Sequence, residues 1–263
     1  MLNDITIGQY IPGDSPVHRA DPRVKIILTL VFMVSIFFIE SYPGFFMYLL
    51  FTCVIIVTSD LPFRYTLKGL KPIMFIVIFT ALINILTTQG TYVFEWGFIH
   101  ISREGIDAAV KLSLRLVLLV MGASLLTLTT TPISLTDGIE KLMAPLKIIK
   151  VPVHEIAMMM SIALRFIPTL LDETDKIIKA QSSRGADFDT GNIIEKAKSF
   201  IPVLIPLFIS AFRRADELAV AMEARCYRGG VGRTRMKQLK LGKVDFAVSA
   251  VMILFTTLVL LLG

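Results

Sequence analysis

Five apolar runs dominate the chain, at residues 24–39, 44–58, 72–86, 106–128 and 244–262. Each is long enough, or nearly so, to cross a hydrocarbon core that takes about 20 apolar helical residues. Backbone amides cannot stay unpaired in lipid, so the runs predict α-helices. Between the fourth and fifth the pattern changes. From near Val153 the residues predict a long helix that bends at Pro168 and becomes amphipathic, with Leu171, Thr174 and Ile178 on one side and Asp172, Asp175 and Lys176 on the other. Gly185 supplies its stop. A second unit is predicted from near Asn192 through "FIPVLIPLFIS" (200–210), with Ala215, Leu218, Ala219 and Met222 on one face and Gly229 and Gly230 ending it. Pro202 and Pro206 are expected to break the 200–210 run, which is too short to span and should lie at the interface or on other helices.

The expected fold is therefore all-α: a polytopic membrane protein with about five transmembrane helices and a helical insert between the fourth and fifth. Three segments follow: 1–128 with the first four spans, 129–243 as the helical insert, and 244–263 as the last span. Orientation comes from loop charge. Arg19, Arg23 and Lys25 precede or open the first span and Arg64, Lys68 and Lys71 lie between the second and third, whereas loops 40–43 and 87–105 hold only Arg103. The positive-inside rule puts the N-terminus and the insert in the cytoplasm and the C-terminus outside.

Composition agrees with the pattern: 54% of the 263 residues are hydrophobic and the mean hydropathy is +0.71. The N-terminal segment is polar and punctuated by Pro and Gly, without the order of a cleaved signal, so the first run is expected to be retained. Cys53 and Cys226 lie in unlike surroundings and read as free thiols. The formal charge of +6 concentrates in the insert. Its basic run "GRTRMKQLK" at 232–240 directly precedes a span, the arrangement anionic lipids favour, so membrane lipid rather than nucleic acid is the expected partner.

Chemistry is scarce. "HEIAM" at 154–158 approaches the zinc motif HExxH, but Met158 replaces the second histidine, so no metal site is expected. Met158, Met159 and Met160 point around a helix and read as core or interface packing. "GGVG" at 229–232 lacks the lysine of a nucleotide-binding P-loop, and no GxSxG elbow occurs. No catalytic residue, cofactor or enzyme activity is expected, and the chain is not expected to bind or hydrolyse ATP by itself. The interiors of the runs contain no acid, which argues against ion-coupled transport. Lys111 and Arg115, one turn apart, read as a snorkelling lysine and an arginine reaching headgroups or a partner.

Two arginines remain. Aligning Ala180 of "AQSSRGADF" with Ala221 of "AMEARCYRGG" superposes Arg184 on Arg225. A cation in a last helical turn is favoured by the macrodipole at about 0.3–1 kcal/mol, which accounts for one arginine near each helix end. It does not account for the small flanks Ser183, Gly185, Ala224 and Cys226. Those would let a helix end enter a groove while the guanidinium binds a carboxylate or carbonyls, twice over on a dimeric partner. The residues alone leave both readings open.

"SSRGADF" and "EARCYRGG", in a helical insert after four spans, resemble the paired Ala-Arg-Gly motifs of the T component of energy-coupling factor (ECF) transporters, the ABC-type vitamin importers of prokaryotes. The N-terminal "GQYIPGDSPVHRADPRVKI" is similar to the start of that family, particularly its shared-module branch. The resemblance covers essentially the whole chain. It implies a membrane scaffold that links two cytoplasmic ABC-type ATPases to a separate substrate-binding S component, with selectivity residing in that other subunit. It further implies that Arg184 and Arg225 dock into the ATPases, with Ser183, Gly185 and Ala224 packing closely. Ser183 in place of Ala and Cys226 in place of Gly depart from the motif, and Cys226 puts in question any role that needs glycine's positive φ. The competing functions are a pore-lining permease subunit of an ordinary ABC importer, an intramembrane enzyme, and a lipid-surface scaffold without an ATPase.

Overall fold

The structure is a computed structural model that describes residues 10–96, 99–188, 192–230 and 239–262. Most of the basic run 232–240 thus lies outside the described residues, as do the first residues of the N-terminal motif. The chain divides into two compact units, the described parts of Gly8–Leu142 with Gln238–Gly263, and of Met143–Lys237.

In the first unit a short helix α1 (Pro16–Arg19) precedes α2 (Pro22–Phe37), α3 (Tyr42–Thr58), α4 (Phe63–Thr87), α5 (Arg103–Thr129), α6 (Pro132–Leu142) and α10 (Lys243–Leu262). Local chemistry sets the starts. Asp21, Ser41 and Ser102 cap α2, α3 and α5 with side-chain oxygens that accept the Arg23, Gly44 and Gly105 amides. Pro22 and Pro43 occupy first turns, where a missing N–H costs nothing. The Arg23 guanidinium beside Asp21 also holds that carboxyl below the usual carboxylate range.

All five expected apolar runs are helical. Of them α4, α5 and α10 are long and apolar enough to cross a membrane, and α3 is a shorter apolar helix. By length and composition α7 (Val153–Ser183) in the second unit also qualifies, although its C-terminal half carries Asp172, Glu173, Asp175, Lys176 and Lys179. The 87–105 connection holds a structure the apolar pattern does not announce: β1 (Tyr92–Trp96) pairs antiparallel with β2 (Ile99–Ser102), Tyr92 opposite Ser102 and Trp96 opposite Ile99. "YVFEW" and "IHIS" are rich in aromatic and β-branched residues that prefer extended backbone, so this short loop closes as a hairpin on an otherwise helical fold.

The core of this unit joins α2, α3, α5 and α10 through Phe32, Ile36, Phe45, Tyr48, Leu118, Met252 and Val259. Tyr48 is fully buried and its hydroxyl donates to Ser35 Oγ at 2.7 Å, which in turn donates to the Phe32 carbonyl at 2.8 Å, so the one polar atom of that ring is satisfied inside the bundle. A second cluster, including Ile56, Leu61, Leu70, Met121 and Leu128, fastens α4 to α3 and α5. Helices approach closely where side chains vanish: a Cβ on Gly122 would sit 2.5 Å from Phe32 Cε1. Phe75, Ile78 and Phe79 on α4 remain exposed, as a lipid-facing surface requires.

The two basic residues of α5 find protein partners. Lys111 Nζ lies 2.7 Å from Asp107 and over the Tyr42 ring, while Arg115 Nη2 donates at 3.2 Å to the carbonyl of Ile39, just past the end of α2. The expected snorkelling of Lys111 is thus toward a carboxylate one turn nearer the helix start. The arginine holds the connection that follows α2.

The second unit contains a 3₁₀ turn (Ala144–Ile149), α7, α8 (Ile193–Ser199) and α9 (Ile201–Ala224). Asn192 and Glu195 form a reciprocal capping box at the start of α8, where the sequence reading placed the second unit. Pro202 and Pro206 do not break the 200–210 run. Pro202 lies in the first turn of α9 and Pro206 is carried inside the helix. The missing N–H of Pro206 frees the carbonyl four residues earlier, that of Pro202, and Gln181 Nε2 approaches it at a long 3.5 Å.

Candidate functional site

Both arginines singled out from the sequence occupy the same position of the same local motif. Arg184 is the C-cap of α7, and the chain then turns through Gly185 at φ +90°. The Gly185 amide donates to the Ser182 carbonyl and the Ala186 amide to the Gln181 carbonyl, each at 3.0 Å. Those two bonds are the Schellman closure of a helix end. Arg225 is the C-cap of α9, followed by Cys226 at φ +56°, with the Cys226 amide donating to Glu223 at 2.8 Å and the Tyr227 amide to Met222 at 3.0 Å. The closure is therefore repeated residue for residue, and it satisfies carbonyls that a helix end would otherwise leave open.

This answers the question Cys226 raised. The thiol position does adopt the left-handed conformation normally given to glycine, so the departure from the motif changes the cost of the turn and not its shape. It also corrects where the helix stops: α9 ends at Ala224, before Gly229 and Gly230. Gly229 has its own positive φ of +87° further along.

Both guanidiniums are exposed, and among the described residues neither makes a side-chain hydrogen bond or an ion pair. Ser183, Gly185, Ala224 and Cys226 are exposed as well. The Ser183 hydroxyl donates back to the Lys179 carbonyl at 3.0 Å, which folds it against its own helix. What each helix end presents is one long cation on a base of small residues. Among the described residues their donors have no partner, which suits a cation facing water at the negative end of the helix dipole as well as one free to bind another protein.

The elements that carry the two ends are tied together. Glu173 on α7 accepts from Ser210 Oγ at 2.5 Å and from Arg214 Nη2 at 2.9 Å, both on α9. Further along α7, Gln181 meets Pro202, which lies earlier on α9. Beyond the end of α9, Gly230 lies so near the start of α7 that a Cβ there would be 2.5 Å from His154 Cδ2. The helices therefore cross antiparallel. Arg184 comes eleven residues after Glu173 and Arg225 eleven after Arg214, so each arginine stands about 16 Å along its helix from the shared ion pair, on opposite sides of it. The sequence reading did not find Glu173, Ser210 and Arg214; opposite charges on two amphipathic helices were visible, but not which of them meet.

Along α9 an apolar stripe is uncovered: Ile201, Leu204, Ile205, Phe208, Ile209 and Phe212 are between 45% and 68% exposed. Met159 and Met160 on α7 are exposed too, so they serve an outer surface and not the core. Among the described residues no group of His, Cys, Asp and Glu is arranged to hold a metal ion.

The chain matches a family model described as "Cobalt transport protein" (CbiQ) over residues 13–237. It is 66% identical to the energy-coupling factor transporter transmembrane protein EcfT of Ruminiclostridium cellulolyticum over 262 residues, which is 100% of this chain and 98% of that protein. The protein of the same name from Clostridium kluyveri is 59% identical, covering 95% of this chain and 93% of its own length. That from Bacillus subtilis is 48% identical, covering 100% and 99%.

Proposed function

Since the chain belongs to the transmembrane T components of ECF transporters and is the multi-pass scaffold subunit of such an ATP-driven importer, we propose that Arg184 and Arg225 dock it onto two ABC-type ATPase subunits. One observation carries this: two helix ends of identical closure, on opposite sides of one crossing, each present an exposed guanidinium with no partner among the described residues. Two equal ends suit two equal grooves on an ATPase pair, where a guanidinium can bind bidentate to a carboxylate or cap carbonyls. Ser183, Gly185, Ala224 and Cys226 keep bulk away from the groove wall.

Segment 129–243 acts as the coupling region on the cytoplasmic side, with the N-terminus on that side and 244–263 returning across the membrane. ATP-driven closure of the ATPases shifts the two helix ends, and the Glu173–Arg214 pivot converts that shift into rotation of α7 against α9. The exposed stripe Ile201 to Phe212 then supports the substrate-binding S component, a surface of the size and apolarity that a membrane partner covers. High identity to EcfT proteins across almost the whole chain supports the shared-module branch, which serves several vitamins through interchangeable S components.

The test is copurification. Tagged protein in mild detergent brings down two ATPase chains with vanadate-sensitive activity, and the Arg184→Ala, Arg225→Ala double variant loses the chains or the activity. A double variant that holds both chains at full activity returns the arginines to ordinary helix caps.

A further inference from the structure

The N-terminal turn of α2 gathers polar groups that the docking site does not use. Lys25 is buried at 8% exposure and its Nζ donates to the carbonyls of His18 at 3.1 Å and Thr129 at 2.9 Å and to Thr130 Oγ1 at 3.3 Å. One ammonium thus closes the C-terminal ends of both α1 and α5, where a cation meets the negative end of the helix dipole. Asp245, 5% exposed, sits in the first turn of α10. Its carboxylate accepts the Gly242 amide at 2.7 Å and reaches the Asp21 amide at 2.6 Å, linking residues 224 positions apart. Asp21 caps α2 and holds Arg23 through its own carboxylate.

The placement matters because of the path of the chain. Among the described residues the polypeptide leaves this unit after Leu142 and is back in it from residue 239. Lys25 holds the end of α5 at Thr129 and Thr130, from which α6 leads to the outgoing crossing. Asp21 and Asp245 grip the returning one, where α10 begins. Next to them α6 rests on the same turn of α2, with Gly138 so close that a Cβ would be 3.1 Å from Pro22 Cβ and Ile26 Cδ1. A buried lysine and a buried aspartate are costly groups to hold, and apolar residues of equal size would serve stability as well or better.

We propose that Lys25, Asp21 and Asp245 form a root that ties the end of α5, from which α6 leads out, and the start of α10, by which the chain returns, to the first turn of α2, so that motion of the coupling helices is transmitted and not dissipated there. These are positioning residues. Their effect is on the yield of transport per ATP. The proposal rests on the scaffold function above, so the two must be separable by experiment.

The complete complex of T component, ATPases and S component is reconstituted in proteoliposomes, and substrate uptake and ATP hydrolysis are measured on the same vesicles. Wild type gives ATP-dependent uptake; its failure to do so would count against the scaffold function itself. With Lys25→Met and with Asp245→Asn, the expected result is assembled complex hydrolysing ATP within about twofold of wild type while uptake per ATP falls at least about fivefold. Lys25→Arg, which keeps a cation and several donors, recovers most of the yield. The proposal is overturned if uptake per ATP is unchanged, or if uptake and hydrolysis fall together in proportion to the amount of folded complex. It is overturned equally if both variants are absent from the membrane, because the junction then only holds the fold together.

Discussion

Replacing Cys226 with glycine should make the end of α9 more stable, and the size of the effect follows from the backbone. At φ +56° an L-residue pays roughly 1–2 kcal/mol for the clash of Cβ with the neighbouring carbonyl, which glycine avoids. Glycine gives back roughly 0.5–1 kcal/mol through its larger freedom in the unfolded chain. The thiol is exposed, so little packing is lost. The net gain is about 0.5–1 kcal/mol, a factor of about 2–5 in the local opening equilibrium. Hydrogen exchange read by mass spectrometry on the 221–230 segment follows that opening directly, because the Cys226 and Tyr227 amides are the donors of the closure. Exchange should slow by about 2–5-fold in Cys226→Gly. The mirror experiment is Gly185→Ala, where φ is +90° and nothing lies within 4 Å of the added Cβ, so that only backbone strain acts. Exchange at the Gly185 and Ala186 amides should accelerate by a similar factor. If glycine at 226 speeds exchange, or alanine at 185 slows it, the two turns are not equivalent and the argument from matched helix ends fails.

Gly122→Ala should be among the more damaging small changes in the membrane unit, since its Cβ would meet Phe32 Cε1 at 2.5 Å inside the core; overpacking of about 1–3 kcal/mol would show as a lowered thermal midpoint in detergent. A double-mutant cycle on Glu173→Gln and Arg214→Met should give a coupling of only about 0.5–1 kcal/mol, because the side chains are 25% and 37% exposed, yet uptake should suffer if the pair is the pivot of the crossing. Lys111→Met should leave uptake within about twofold of wild type, as the lysine pairs with Asp107 at a partly exposed site; loss of uptake with intact ATP hydrolysis would reinstate an ion-coupling role.

Much of this protein is legible without coordinates, because the relevant forces act over one or two helical turns. Lipid demands paired backbone amides, so apolar runs had to be helices, and all five are, of which α4, α5 and α10 reach spanning length and composition. Caps are local in the same way: Asn192 with Glu195, and Gly185 after Arg184, announce a start and a stop within a few residues. The twin arginines with small flanks were visible for that reason. Even so, a short-range rule failed where two effects competed. Glycines at 229 and 230 suggested a later end of α9, but the Schellman bonds close at Cys226, where the hydrogen bonds outweigh the strain of a side chain at positive φ.

Only the tertiary structure decided which distant groups meet. Arg214 lies 41 residues from Glu173, and Asp245 lies 224 from Asp21, separations at which no periodicity or spacing rule operates. The crossing that puts Arg184 and Arg225 on opposite sides, and the junction that joins the ends of α5 and α10 to the start of α2, depend on how helices pack. Packing is set by the shapes of many side chains at once, by gaps such as Gly122 and Gly138, and by the need of each buried charge to find a partner. The helices are properties of the chain taken a turn at a time; their meeting points are properties of the whole.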